Sequence, residues 1–153
     1  MNLIELLQDV DFNLVKGTLE KEINHIQYDS RKITNGDIFV CLSGFEVDGH
    51  DYAKKAIEAG ATVIICEKDL DFDNIDESVT VIRVNEGRKT LATMSANFYG
   101  HPTKKLKLIG VTGTNGKTTT TRLISYVLKL MGNTVGMTST DGIYIGDECI
   151  DIG

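Results

Sequence analysis

Thr112-Gly113-Thr114-Asn115-Gly116-Lys117-Thr118-Thr119 stands between an apolar stretch at 106–111 and a helical stretch at 117–131. Few folds place a strand, a glycine turn and a helix opening on lysine in that order without building a phosphate cradle. Gly113 and Gly116 free the backbone to turn, so that successive N–H groups through Thr114 and Asn115 point inward at a polyphosphate. The helix N-terminus, with Thr119 in its first turn, adds its positive dipole end. Lys117 can reach the β- and γ-phosphates of ATP, and the Thr118 hydroxyl can ligate Mg²⁺. The generic phosphate-loop pattern has a glycine where this chain has Val111. The plainer reading is a threonine-rich helix cap with a solvated lysine. The joint occurrence of strand, glycines, lysine and hydroxyls at the right spacing favours nucleotide.

The surrounding pattern predicts a βαβ unit of the parallel kind: strand 106–111, helix 117–131 with Leu123, Ile124, Val127 and Leu128 on its apolar face, and strand 134–138. Ile143-Tyr144-Ile145, Gly146-Asp147 and Cys149-Ile150-Asp151-Ile152 then read as a hairpin. Upstream, Gly100-His101-Pro102-Thr103-Lys104-Lys105 holds the chain's only proline and marks a domain boundary. Before it, Asn2 caps a helix at 3–8 whose Leu3, Leu6 and Leu7 share a face. Strands follow at 23–28, 37–42, 62–66 and 79–84, with helices at 51–59 and 86–99, the latter carrying Leu91, Met94, Ser95 and Phe98 on one side. The expected class is α/β: a small N-terminal α/β substrate domain at 1–101, then the first βαβ unit of a P-loop parallel-sheet domain at 102–153.

Composition removes several alternatives. A formal charge of −6 argues against nucleic acid as partner, whose binding rests on a basic surface. Glu5 sits where a signal peptide would carry its basic residues, and runs such as Val63-Ile64-Ile65-Cys66 are too short to span a bilayer. A cytoplasmic protein without membrane insertion is expected. Cys41, Cys66 and Cys149 match neither a disulfide framework nor a metal pattern, and the first two read as small buried hydrophobes.

A second constellation lies in the first half: Tyr28-Asp29-Ser30-Arg31-Lys32, then Gly36-Asp37-Ile38-Phe39-Val40, then Gly44 with Asp48-Gly49-His50-Asp51. Ser30 and Arg31 fall where a strand ends, and a hydroxyl and a guanidinium there can hold a uracil edge, a sugar or a diphosphate. The loop 44–50 offers backbone donors nearby. Chemistry alone leaves this open, because Asp29-Ser30-Arg31 is also an ordinary solvated turn and His50 an ordinary capping histidine.

Both constellations, in this order, resemble the Mur ligase family. Thr-Gly-Thr-Asn-Gly-Lys-Thr is similar to the ATP loop of these ligases and of their relatives folylpolyglutamate synthetase and cyanophycin synthetase, which share the displaced glycine. The Asp-Ser-Arg turn, the strand after Gly36-Asp37 and the Asp-Gly-His-x loop resemble the N-terminal domain of the MurE type. The resemblance implies that Ser30, Arg31, Gly44 and His50 bind a UDP-muramoyl-peptide, and that the loop of Gly113, Thr114, Asn115, Gly116, Lys117, Thr118 and Thr119 holds ATP. Lys117 would be the catalytic cation and Thr118 a Mg²⁺ ligand. The implied reaction is amide ligation in peptidoglycan synthesis. A substrate carboxylate takes the γ-phosphoryl of ATP, and the amine of meso-diaminopimelate or L-lysine displaces phosphate from the acyl phosphate on UDP-MurNAc-L-Ala-D-Glu. The stretch 136–145 resembles cyanophycin synthetase at least as closely, which leaves an amino-acid ligase of that kind as an alternative. A non-catalytic UDP-sugar-binding fragment is another. By this resemblance the 153 residues are part of a longer enzyme and are not expected to turn over alone.

Overall fold

The structure is a computed structural model that describes residues 1–44, 47–70 and 75–152. Phe45 and Glu46, inside the expected substrate loop 44–50, lie outside the described residues, as does Gly153. The chain forms two compact units, Met1–Leu106 and Lys107–Gly153.

In the first unit a five-stranded sheet runs β1-β5-β4-β3-β2, with β1 at Phe12–Lys16, β2 at Ile26–Gln27, β3 at Ile38–Val40, β4 at Val63–Cys66 and β5 at Thr80–Val84. β2 to β5 pair in parallel and β1 joins β5 antiparallel. β3 and β4 are apolar without a break, and β5 is apolar but for Thr80 and Arg83, because both of their faces are covered. Ile38, Val40, Val63, Ile65, Ile82 and Val84 share a core with Leu3 and Leu6 of α1 (Leu3–Leu6) and Met94 of α3 (Gly87–Phe98). Phe39, Ile64, Cys66 and Val81 point the other way, onto Ala53 and Ala56 of α2 (Ala53–Glu58). The period-two alternation of the strands thus sorts one apolar run into two cores. Asn2 caps α1 as expected, its Oδ1 accepting the Ile4 N–H at 2.9 Å.

Three details differ from the sequence pattern. β1 was not anticipated: Asn13, Leu14 and Val15 are exposed, so an edge strand held by its ladder to β5 gives little periodic signal. The strand expected at 23–28 shrinks to Ile26–Gln27, although Ile23 is buried and donates its N–H to the Met1 carbonyl at 2.8 Å. The helix expected at 51–59 begins as a 3₁₀ turn, Gly49–Tyr52, because the Asp48 side chain caps the His50 N–H and starts the turn early.

The second unit holds α4 (Lys117–Leu130) and an antiparallel meander of β6 (Gly136–Ser139), β7 (Gly142–Ile145) and β8 (Glu148–Asp151). The hairpin with its Gly146-Asp147 turn is present, with Gly146 at φ 61°. The expected parallel pairing is not: 106–111 carries no strand among the described residues, and β6 pairs with β7. A two-residue hairpin closes its ladder locally, whereas a parallel pair must close over the whole helix between, so the antiparallel partner takes β6. The apolar face of α4 divides accordingly: Ile124 and Leu128 are half-buried, Leu123 and Val127 exposed.

The two units should differ in how they respond to truncation. Ile65→Ala, in the middle of the first core, is expected to cost about 3 kcal/mol. Ile150→Ala, half exposed on β8, should cost less than about 0.5 kcal/mol. Urea unfolding followed by circular dichroism checks both.

Candidate functional site

Parallel strands leave their carboxyl ends on one edge, and in α/β sheets ligands bind beyond that edge. Here the chain leaving β2 carries Tyr28, Asp29 and the 3₁₀ turn Ser30–Lys32, while the chain leaving β3 carries Leu42 and the loop to Gly49. Between them lies a cavity of about 500 Å³ lined by Tyr28, Asp29, Ser30, Arg31, Phe39, Leu42, Val47, Gly49, Tyr52 and Lys55.

Local chemistry shapes each wall. Asp29 accepts the Arg31 N–H at 3.0 Å, which starts the 3₁₀ turn and sets Ser30 into the cavity. The same carboxylate grips the Arg31 guanidinium through Nε at 2.9 Å and Nη2 at 2.7 Å. That bidentate pair, with the Arg31 amide, holds the Asp29 carboxyl well below the usual carboxylate range. On the other wall the Gly49 N–H donates to the Leu42 carbonyl at 2.9 Å. A Cβ at Gly49 would stand 2.7 Å from the Leu42 nitrogen, so only glycine permits this approach.

The residues expected here do not all meet. Ser30 is buried against the cavity, and its hydroxyl has no hydrogen-bond partner among the described residues. Arg31 lines the cavity but is engaged by Asp29. Gly44 donates its N–H to the Val47 carbonyl at 3.1 Å and is not on the lining. His50 is not on the lining either. Its Nδ1–H donates to Asp48 and its Nε2 accepts the Glu67 N–H at 2.9 Å, so both ring nitrogens are used inside the protein. A histidine buried beside a strand end must satisfy both nitrogens, and here both partners lie within the protein. Lys55 and the Tyr28 and Tyr52 rings were missed. Lys55 has no ion-pair partner among the described residues, and the pair Lys54-Lys55 on a short helix just after the Asp-Gly-His loop was the available signal.

In the second unit the phosphate loop leads into α4. Gly113 has φ 147° and Gly116, capping the helix, φ 76°, backbone states that side chains rarely adopt. Nothing crowds a Cβ at Gly116, so its φ alone calls for glycine. Lys117 folds back over the turn, its ammonium donating to the Gly113 carbonyl at 2.7 Å and the Thr114 carbonyl at 3.2 Å. The lysine is thereby held over the turn that the glycines shape. Thr114, Asn115 and Thr119 are exposed and Thr118 is half-buried at the helix start. These residues fit a polyphosphate, and the Thr118 hydroxyl fits a single protein ligand to Mg²⁺. No cluster of three His, Cys, Asp or Glu able to hold a metal occurs among the described residues.

Other features are structural. A cavity of about 580 Å³ between α4 and the meander is lined by Arg122, Lys129, Met137 and Tyr144, but its cations are paired with Asp141 and Asp147. Burial pushes the Cys41 thiol far up and the Cys66 thiol up to about 11, so neither serves as a nucleophile. Among the described residues no helix is long and apolar enough to cross a membrane.

A glycine-shaped turn opening α4 thus follows, along the chain, an α/β unit with a cavity at its strand ends. Residues 22–99 match the family described as "Mur ligase family, catalytic domain", and residues 111–151 that described as "Mur ligase middle domain". The chain belongs to the Mur ligase family. It is 48% identical over 151 residues to the UDP-N-acetylmuramoyl-L-alanyl-D-glutamate--2,6-diaminopimelate ligase of Clostridium botulinum, covering 99% of this chain and 31% of that protein. Identity to the protein of the same name from Bacillus velezensis is 46% over 133 residues, 87% of this chain and 26% of that protein. A solved structure of a UDP-N-acetylmuramoyl-L-alanyl-D-glutamate--2,6-diaminopimelate ligase shares the fold, with a TM-score of 0.71 at 22% identity over 97% of this chain and 29% of that one. MurF from Acinetobacter baumannii matches with a TM-score of 0.65 at 27% identity, over 85% and 28% of the two chains. This chain therefore spans between 26% and 31% of the length of these two curated relatives.

The loop wall of the cavity has a pH dependence that can be tested. The Lys68 ammonium, then the His50 N–H and ring, hold the Asp48 carboxyl well below the usual carboxylate range. A carboxylate depressed in the fold contributes stability above its unfolded value, near about 4, and loses it as pH falls through the folded value. The Asp48 contribution is therefore constant above about pH 5 and fades below about pH 4. Asp48→Asn should flatten that acid limb in urea-unfolding midpoints measured from pH 2 to 7.

Proposed function

We propose that this chain is the N-terminal part of an ATP-dependent ligase that adds meso-diaminopimelate to UDP-N-acetylmuramoyl-L-alanyl-D-glutamate in peptidoglycan synthesis, in the cytoplasm. The observation that carries the reading is the 48% identity, along 151 residues, to a protein named for that reaction. That alignment includes the stretch 136–145, which supports a muramoyl ligase over a cyanophycin-synthetase-like one. Both curated relatives cited above are named for 2,6-diaminopimelate, which supports that amino acid over lysine.

Residues 1–101 are read as the UDP-muramoyl-peptide domain and 102–153 as the start of the ATP-binding domain. In the first, the Ser30 hydroxyl would bond the nucleotide sugar, Lys55 and Arg31 would face the diphosphate, and Tyr28 and Tyr52 offer ring faces to a base. Gly44 and His50 act by shaping the loop. In the second, the amides from Gly113 to Thr119 would hold the ATP phosphates. Lys117 would exchange its two loop carbonyls for the transferring phosphoryl group, and Thr118 would ligate Mg²⁺, which when bound neutralises phosphate charge. The loop amides would meet the phosphates with little rearrangement, while Lys117 would first leave its two loop carbonyls. The chain by itself is not expected to complete the ligation.

Two substitutions separate these sites. In the complete ligase, Lys117→Ala should lower kcat on the order of 10³-fold, because amides alone do not replace a cation at the phosphoryl group. Near-normal turnover would remove Lys117 from the chemistry. Ser30→Ala should weaken UDP-muramoyl-dipeptide binding by roughly 5- to 150-fold, the loss of one hydrogen bond of about 1–3 kcal/mol, with ATP affinity unchanged. Calorimetry with each ligand checks this, and equal losses for both would point to misfolding instead.

A further inference from the structure

We propose that Glu67 and His50 are positioning residues that fix the loop wall of the Ser30 cavity and so set its affinity for the UDP-muramoyl substrate. The proposal rests on the reading of that cavity given above. Glu67 follows β4 and does not line the cavity, yet three bonds radiate from it. Its Oε2 accepts the Ser43 hydroxyl at 3.0 Å, where the loop departs. Its backbone N–H donates to His50 Nε2 at 2.9 Å, where the loop returns. Its Oε1 accepts the Gly87 N–H at 2.6 Å, at the first residue of α3. The His50 side chain is only 6% exposed and passes the hold to Asp48, which also binds Lys68. Asp48 lies between Val47 and Gly49, the two described residues of the loop that line the cavity.

Space is kept for this arrangement. A Cβ at Gly87 would stand 3.2 Å from Glu67 Oε1 and 3.3 Å from the Cys41 carbonyl, so glycine lets the carboxylate reach the α3 amide. The chain thus anchors both feet of the loop to one residue at the end of a central strand. A wall held in its binding geometry before the ligand arrives spares the ordering cost that a free loop would add on binding. Glu67 needs two hydrogen-bonding positions but not its charge. In Glu67→Gln, Oε1 can still accept from Gly87 while Nε2 donates to the Ser43 hydroxyl, which accepts as readily as it donates.

The test is calorimetric titration of the 153-residue chain with UDP-MurNAc-L-Ala-D-Glu, alongside thermal unfolding. Glu67→Ala should weaken binding by about tenfold or more, and Glu67→Gln should stay within about twofold of wild type. Ser43→Ala, which removes one exposed hydroxyl and leaves the core intact, should weaken binding by about threefold without lowering the thermal midpoint. Wild-type affinity in both Glu67→Ala and Ser43→Ala would overturn the positioning role. So would equal loss in Glu67→Gln and Glu67→Ala, since the amide preserves both bonds. If Glu67→Ala does not fold, Ser43→Ala and Glu67→Gln decide. Failure of the wild-type chain to bind would instead overturn the reading of the cavity, and the positioning role with it.

Discussion

Burial of both faces of β3, β4 and β5 is the constraint on which the first unit depends. Covering both faces requires helices on each side, so the chain must cross over between strands, and crossovers make the strands parallel. Parallel strands all end on one edge. Tyr28, Ser30, Leu42, Val47 and Glu67 come from distant points in the sequence and meet there because the apolar runs feeding them are buried side by side. The cavity is thus a product of the core, and its polar groups sit where the strands run out of apolar residues.

The phosphate loop obeys a more local rule. Its geometry comes from two glycines in unusual backbone states and from the helix that starts at Lys117, so it forms within about eight residues of one another's neighbours in sequence. The difference explains why one half of the chain was easier to read. Gly116-Lys117-Thr118 declares itself in sequence, whereas Ser30 acquires meaning only once β2 and β3 are adjacent. The family resemblance supplied that adjacency before the structure did.

What the sequence left hidden follows the same division. β1 carries no periodic signal because its residues are mostly exposed and its ladder is made of backbone. The parallel strand expected at 106–111 was inferred from apolar content, which cannot say whether a partner is in register. The motif around His50 does not say where its two ring nitrogens go, and the structure has one on Asp48 and one on the Glu67 amide. Lys55 was passed over because a lysine on a short exposed helix looks like any solvated cation until a cavity opens beside it. The buried cysteines, by contrast, were legible from their apolar neighbours alone.

The central claim is that two ligands of different chemistry occupy separate sites, one at the strand ends of the first unit and one at the phosphate loop. Amide chemical-shift mapping on the isotope-labelled chain, with UDP-MurNAc-L-Ala-D-Glu and ATP added in turn, tests it most directly. The muramoyl ligand should shift amides at Tyr28, Ser30, Arg31, Leu42, Val47, Gly49 and Lys55, and ATP those at Gly113, Asn115, Gly116 and Thr118. Shifts from both ligands on the same residues, or from the muramoyl ligand only on α4 and the meander, would contradict it.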